Sequence, residues 1–245
     1  MGRRRVSPSV LLAPGSRTKV PAAARRARPV PKPERAADPA SAERIGIFGG
    51  TFDPPHIGHL WLAALAADAL ALDRVLFMPA AQPPHKRRPG MSSITERLLM
   101  TRLAIAGNDA FELSTVEVGR SGPSYTIDSV EELQRTYGDA RLFLLMAADS
   151  MAQIDSWREP DRLLSLIEWA VAPRPGSSAP DRAQLRARFG KAAERIHLLD
   201  GPSLDVSASE IRRRVAAGRA IRYLVPQAVE ELIAATGLYR RRRRG

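Results

Sequence analysis

Apolar residues along the chain fall into short continuous runs separated by longer stretches of helical spacing. Arg44-Ile-Gly-Ile-Phe-Gly reads as a buried strand ending at Gly49-Gly50, and Val75-Leu-Phe-Met, Leu142-Phe-Leu-Leu-Met, Ile167 to Ala172 and Ile196 to Leu199 read as further strands. Such short runs, bounded by turn residues, suit strands covered on both faces. Phe111 to Val118 alternates as another strand. The intervening segments predict helices over Ile57 to Leu72, Thr95 to Ala106, Thr126 to Tyr137, Arg182 to Phe189, Ser209 to Ala217 and Gln227 to Ala235. In the third of these, Ile127, Val130 and Leu133 share one face. Pro79 to Gly90 and Gly176 to Asp181 read as loops. Strands alternating with helices predict an α/β fold, a doubly wound parallel sheet in a single domain, 44–239.

Composition changes this picture at the ends only. Apolar residues make up 44% of the 245 positions, which is ordinary for a globule. The formal charge of +12 invites a nucleic-acid reading. Yet 1–43 alone carries +7 and 240–245 another +5, so 44–239 is formally neutral. The first 43 residues, rich in Arg, Pro and Ala, read as a disordered basic extension, because they have too little apolar surface to offset ordering. Their Arg-rich, acid-poor composition suits a transit peptide, a dispensable extension or an early start codon. Both tails are expected to give nucleic acid no more than weak, salt-dependent contacts. The chain has no cysteine, which excludes disulfides, thiolate metal sites and cysteine nucleophiles and fits a reducing compartment, the cytoplasm. No apolar run approaches the roughly 18 to 20 residues of a membrane span.

Two of the four histidines, His56 and His59, stand in Gly49-Gly-Thr-Phe-Asp-Pro-Pro-His-Ile-Gly-His59, where the first strand turns into the first helix. In parallel sheets ligands gather beyond the carboxyl ends of the strands. Glycines permit close approach of backbone to ligand, and a helix N-terminus offers free N–H groups and a positive dipole end. Imidazoles at i and i+3 share a helix face, donate hydrogen bonds and can become cationic near neutral pH. These features predict an anion site. Helix capping and packing by the two rings, or a metal pair, are the alternative readings; no third metal ligand has sensible spacing. Neither G-x-x-x-x-G-K-[ST] nor G-x-G-x-x-G is present here.

Val206-Ser-Ala-Ser-Glu-Ile-Arg212 carries similar chemistry far along the chain. Ser207 or Ser209 starts a helix, and Arg212 adds a planar fork of donors suited to phosphate. Ser207 and Glu210 also have the spacing of a capping box.

The stretch Gly49 to His59 resembles the signature of the nucleotidyltransferase superfamily that shares H-x-G-H, and Val206 to Arg212 resembles its second nucleotide motif. Pro83-Pro-His-Lys86, Ser124-Tyr-Thr-Ile-Asp128, Ala147-Ala-Asp-Ser150 followed by Trp157, Arg174-Pro-Gly176, Tyr223-Leu-Val-Pro226 and Gly237-Leu-Tyr239 resemble nicotinate-nucleotide adenylyltransferases in particular. The resemblance spans about 44–239 and implies a Rossmann-like nucleotidyltransferase fold. It implies adenylyl transfer from ATP to nicotinate mononucleotide in NAD biosynthesis, with Mg2+ arriving on ATP. It assigns His56, His59 and Arg212 to catalysis, and Gly49, Gly50, Thr51, Phe52, Asp149, Ser207 and Ser209 to ATP together with them. Asp149 is expected at the adenosine ribose, Lys86 at a phosphate, Thr126 beside the pyridine ring, Trp157 stacked on it, and Arg174 on the substrate side. No protein ligand set for a metal is expected.

Two departures stand out. Ala147-Ala148-Asp149 occupies a place where relatives often have Gly-Ala-Asp or Gly-Thr-Asp, adding a methyl at a strand end. Ala208 replaces a common serine, removing a hydroxyl donor. A sister transferase using nicotinamide mononucleotide or phosphopantetheine, and a polyanion-binding protein with a vestigial nucleotide site, are the competing readings.

Overall fold

The computed structural model describes residues 42–83, 90–120, 122–176 and 180–240. The expected extension up to residue 41, the tail beyond Arg240 and Lys86 lie outside the described residues. Six parallel strands form one sheet: β1 (Arg44–Gly50), β2 (Arg74–Pro79), β3 (Phe111–Leu113), β4 (Arg141–Ala147), β5 (Glu168–Ala172) and β6 (Ile196–Leu198). Their spatial order is β3-β2-β1-β4-β5-β6. The chain steps outward from β1 in one direction and from β4 in the other. β1 and β4, in register with Arg44 opposite Arg141, therefore flank the point where strand order reverses. A crevice opens there, beyond the carboxyl ends of the strands.

Side-chain alternation explains why these runs are strands. On β4, Leu142, Leu144 and Met146 pack on one sheet face with Ile127, Val130 and Leu133 of helix α3 (Thr126–Tyr137). Phe143 and Leu145 pack on the other face with Ala63 and Ala66 of α1 (Ile57–Ala69). A third apolar cluster joins α2 (Ile94–Ile105) to Ile211 of α7 (Ala208–Ala216) and to Val229 and Ile233 of α8 (Gln227–Thr236). That cluster ties the end of the chain to the region beside β1. Helix starts follow local chemistry. Ser93 caps α2, its Oγ accepting from Glu96 N at 3.2 Å, while Glu96 Oε2 accepts from Ser93 N at 2.7 Å.

Three expectations change. The strand expected over Phe111 to Val118 stops at Leu113. Ser114 N still reaches Phe77 O at 2.8 Å, but Val118 N then bonds Thr115 O at 2.9 Å, closing a turn that carries Glu117 inward. Helix α1 ends at Ala69, and Ala71 takes a φ of 45°, which swings Leu72 into the core. Between β4 and β5, a short α4 (Ala148–Met151) is followed by α5 (Pro160–Leu166), which was not anticipated. Pro160 at the first helical turn was the available signal for α5. The remaining helix, α6 (Arg182–Phe189), has the expected bounds.

Candidate active site

The loop leaving β1 is built from below. Gly50 leaves room for the ring of Phe52: a Cβ at Gly50 would lie 3.0 Å from Phe52 Cζ. The constraint on this glycine is thus the protein's own aromatic ring. Phe52 is buried at a φ of 48° and meets His59 edge-on, with ring centroids 5.0 Å apart. Beneath the loop lies Arg97 of α2, which is 1% exposed. Its guanidinium donates to the carbonyls of Thr51 at 2.9 Å, Ala80 at 2.7 Å, Ser92 at 3.2 Å and Ala81 at 3.3 Å. Carbonyl acceptors on all sides make burial of that charge tolerable, and they pin the loop to the end of β2.

His56 is the N-cap of α1 and His59 its third residue. His59 Nδ1 accepts from the backbone N–H of His56 at 3.1 Å, so the His59 proton sits on Nε2. The two rings stack with centroids 3.6 Å apart. His56 is buried, and its Nδ1 has no hydrogen-bond partner among the described residues. Burial, helped by the positive charge of Arg174, lowers its pKa to about 4. The cationic His56 foreseen near neutral pH is therefore not the unliganded state; desolvation outweighs the intrinsic basicity of imidazole. His56 offers hydrogen bonds at pH 7 rather than charge.

Gly58 explains the third position of H-x-G-H. A Cβ there would lie 3.1 Å from His56 Nδ1, 3.2 Å from His56 Cε1 and 3.7 Å from Val206 O. Gly58→Ala sets two effects against each other. Helix propensity favours alanine by about 1 kcal/mol, whereas the new methyl pushes the stacked His56 ring out of place. We expect little change in melting temperature and a turnover lowered about tenfold, since small misplacements of reacting groups are costly. Paired melting and steady-state rate measurements check this.

The second motif meets the first here. Ser207 is the N-cap of α7, its Oγ accepting from Glu210 N at 3.2 Å. Only this half of the foreseen capping box forms, because the Glu210 carboxylate turns to Arg213 and Arg214. One turn into α7, Arg212 Nη1 donates to the carbonyl of Asp53 at 2.6 Å, across 159 residues of sequence. Two helix N-termini, two imidazoles and the Arg212 guanidinium thus border one cleft of about 700 Å³.

Gly49, Gly50, Thr51, Phe52, His56, His59, Thr126, Trp157, Arg174, Ser207, Ser209 and Arg212 all line this cleft. Lys86 lies outside the described residues. Asp149 is not on the cleft wall; its Oδ2 pairs with Arg174 Nη1 at 3.2 Å, so Arg174 is the member of that pair facing the cavity. Trp157 backs onto the buried Trp169, centroids 6.5 Å apart. Beside it Arg158 stands 4.8 Å from the centre of the Tyr125 ring, a cation–π distance.

Sequence reasoning missed Arg97, Glu117, Arg158 and the part played by Asp53. Glu117 is 4% exposed and lines the cleft; Ser129 Oγ donates to its Oε1 at 2.8 Å. Burial raises the pKa of Glu117 against those hydrogen bonds. Arg97 and Glu117 left no signal, since a lone charged residue in an apolar-patterned segment reads as surface. Asp53 lay inside the quoted stretch, and Arg158 stood next to a residue already singled out.

A family model described as cytidylyltransferase-like matches residues 47–214. The probable nicotinate-nucleotide adenylyltransferase of Thermomicrobium roseum is 50% identical over 197 residues, covering 80% of this chain and 92% of that protein. The one of Roseiflexus sp. is 46% identical over 200 residues, covering 82% of this chain and 100% of that protein. Among solved structures, the Plasmodium falciparum nicotinic acid mononucleotide adenylyltransferase complexed with NaAD superposes with a TM-score of 0.69 at 19% identity. It covers 80% of this chain and 97% of that one, a likeness of fold. The same Plasmodium enzyme complexed with APC gives 0.67 at 18% identity, with the same coverage. The six-stranded order with its switch at β1 and β4, the joined H-x-G-H and Arg212 segments and these likenesses agree, and the chain belongs to the nicotinate-nucleotide adenylyltransferase family of cytidylyltransferase-like nucleotidyltransferases.

Proposed function

We propose that the cleft transfers the adenylyl group of ATP to nicotinate mononucleotide, giving nicotinate adenine dinucleotide and pyrophosphate. The observation that carries this reading is the meeting of His56, His59 and Arg212 in one cleft at the mouths of two helices. A phosphate oxygen of the mononucleotide attacks the α-phosphorus of ATP, and the bond to the β-phosphate oxygen breaks. That phosphate is already ionised at pH 7, so no protein nucleophile or general base is required. The barrier lies in bringing two anions together and in charge growing on the α-phosphate and the leaving group. Preorganised donors lower it.

In this reading the Nε2–H of His59 and the neutral ring of His56 bind the α- and β-phosphates, and Arg212 holds the leaving pyrophosphate. Lys86 neutralises phosphate. The positive dipole ends of α1 and α7, with Ser207 and Ser209, add to the positive field. Trp157 stacks on the pyridine ring, which suits a flat aromatic partner. Thr126 and Arg174 complete the mononucleotide side, and Asp149 meets the ribose once Arg174 releases it. Mg2+ enters with ATP as part of the substrate, held mostly by phosphate oxygens and water. Among the described residues no group of three or more His, Asp or Glu is arranged around a common metal position. No helix among them is long and apolar enough to cross a membrane; we place the reaction in the cytoplasm, with its pool of nucleotides.

The test is a panel of acceptors offered with Mg2+ and ATP: nicotinate mononucleotide, nicotinamide mononucleotide and phosphopantetheine, read as pyrophosphate released. Nicotinate mononucleotide should give the largest kcat/KM by at least about tenfold, or 1.4 kcal/mol in transition-state binding. A larger value for either other acceptor contradicts the reading.

A further inference from the structure

The turn that follows α8 reaches back to the loop that carries the phosphate donors. The Tyr239 hydroxyl donates to Asp53 Oδ1 at 2.6 Å. Asp53 is 1% exposed, and its own carbonyl receives Arg212 Nη1 at 2.6 Å. One residue therefore joins the turn after α8 to the guanidinium: its side chain is held by Tyr239, and its backbone holds Arg212. Tyr239 sits at a φ of 65°, a left-handed conformation that is unfavourable for a non-glycine residue. Gly237, also left-handed at a φ of 70°, turns the chain off α8 so that this can happen. Burial and the neighbouring Asp53 carboxylate push the phenol well above its usual range, so it stays protonated and donates. On the other side of the loop, Arg97 fixes the carbonyl of Thr51. The segment Thr51-Phe52-Asp53 is thus held at both ends by side chains from elements distant in sequence.

We infer that Tyr239 is a positioning residue, which sets the place of the Arg212 guanidinium by anchoring Asp53. This deepens the proposed function and rests on its assignment of Arg212 to the leaving pyrophosphate. The ring of Tyr239 packs on the third apolar cluster, so Tyr239→Phe removes the hydroxyl and keeps the packing.

The experiment compares parent, Tyr239→Phe, Arg212→Lys and the double variant in the full chain. Each is assayed for pyrophosphate release, with kcat referred to sites titrated with a non-hydrolysable ATP analogue. In the parental background Tyr239→Phe should lower kcat about tenfold while KM for nicotinate mononucleotide stays within about twofold, as expected for misplaced transition-state donors. In the Arg212→Lys background the same change should cost less than about twofold, because residues acting through one another are not additive. A Tyr239→Phe enzyme with parental kcat overturns the inference. So does an equal drop in both backgrounds, which is what an effect independent of Arg212 would give. If Arg212→Lys itself keeps parental turnover, the assignment of Arg212 fails and takes the inference with it. If Arg212→Lys is impaired and Tyr239→Phe is not, only the inference falls.

Discussion

His59→Ala lowers kcat about 10² to 10³-fold, the usual cost of removing one preorganised donor to charge developing in a transition state. Turnover with saturating ATP and nicotinate mononucleotide reads it out. The size follows from how firmly the ring is held. Its Nδ1 is committed to the His56 amide, its neighbours are the rings of His56 and Phe52, and its proton is left on Nε2. A donor aimed this way needs no reorganisation when the reaction occurs, and water filling an alanine's space cannot be aimed likewise. The fold should survive. Alanine is the strongest helix former, and the His56 amide loses one hydrogen bond worth about 1 kcal/mol. KM should move little, because a group that acts on developing charge contributes less to the ground state. A His59→Ala enzyme with near-parental kcat removes this histidine from the chemistry.

Arg212→Lys gives the second large effect, a fall in kcat of about 10 to 100-fold, smaller than loss of the charge altogether. Lysine keeps the positive charge but has no planar fork. The guanidinium spends Nη1 on the Asp53 carbonyl, which leaves its other donors in a fixed plane. An ammonium making the same contact would place its remaining protons on a cone, with no matching pair for two phosphate oxygens. The deficit should appear as slower pyrophosphate release from a normally bound ATP, measured in a single turnover. Unchanged kinetics would refute the role.

Much of the fold was legible because strands buried on both faces leave continuous apolar runs. Leu142 to Met146 could hardly be anything else once two layers of helices must cover it. Phe111 to Val118 misled because alternation signals a half-buried strand only where a neighbour supplies hydrogen bonds; β3 is an edge, and its chain turns as soon as Ser114 has used Phe77 O. That His56, His59 and Arg212 belong to one candidate site was suggested by two motifs whose residue types carry their own chemistry. What joins them was not. The Arg212–Asp53 contact spans 159 residues, and the Tyr239–Asp53 contact 186. Arg97 buries its guanidinium under a loop of backbone carbonyls, and carbonyls have no residue identity to read. The ion pair of Asp149 with Arg174 is likewise a tertiary fact outside any motif.

The central claim is that the imidazoles of α1 and the guanidinium of α7 grip one triphosphate. A crystal structure of the full chain with Mg2+ and a non-hydrolysable ATP analogue tests it most directly. The account predicts phosphate oxygens within about 3.2 Å of His59 Nε2 and of an Arg212 guanidinium nitrogen on the same nucleotide. A nucleotide whose phosphates contact neither residue, or only one with the other turned away from the cleft, would contradict it.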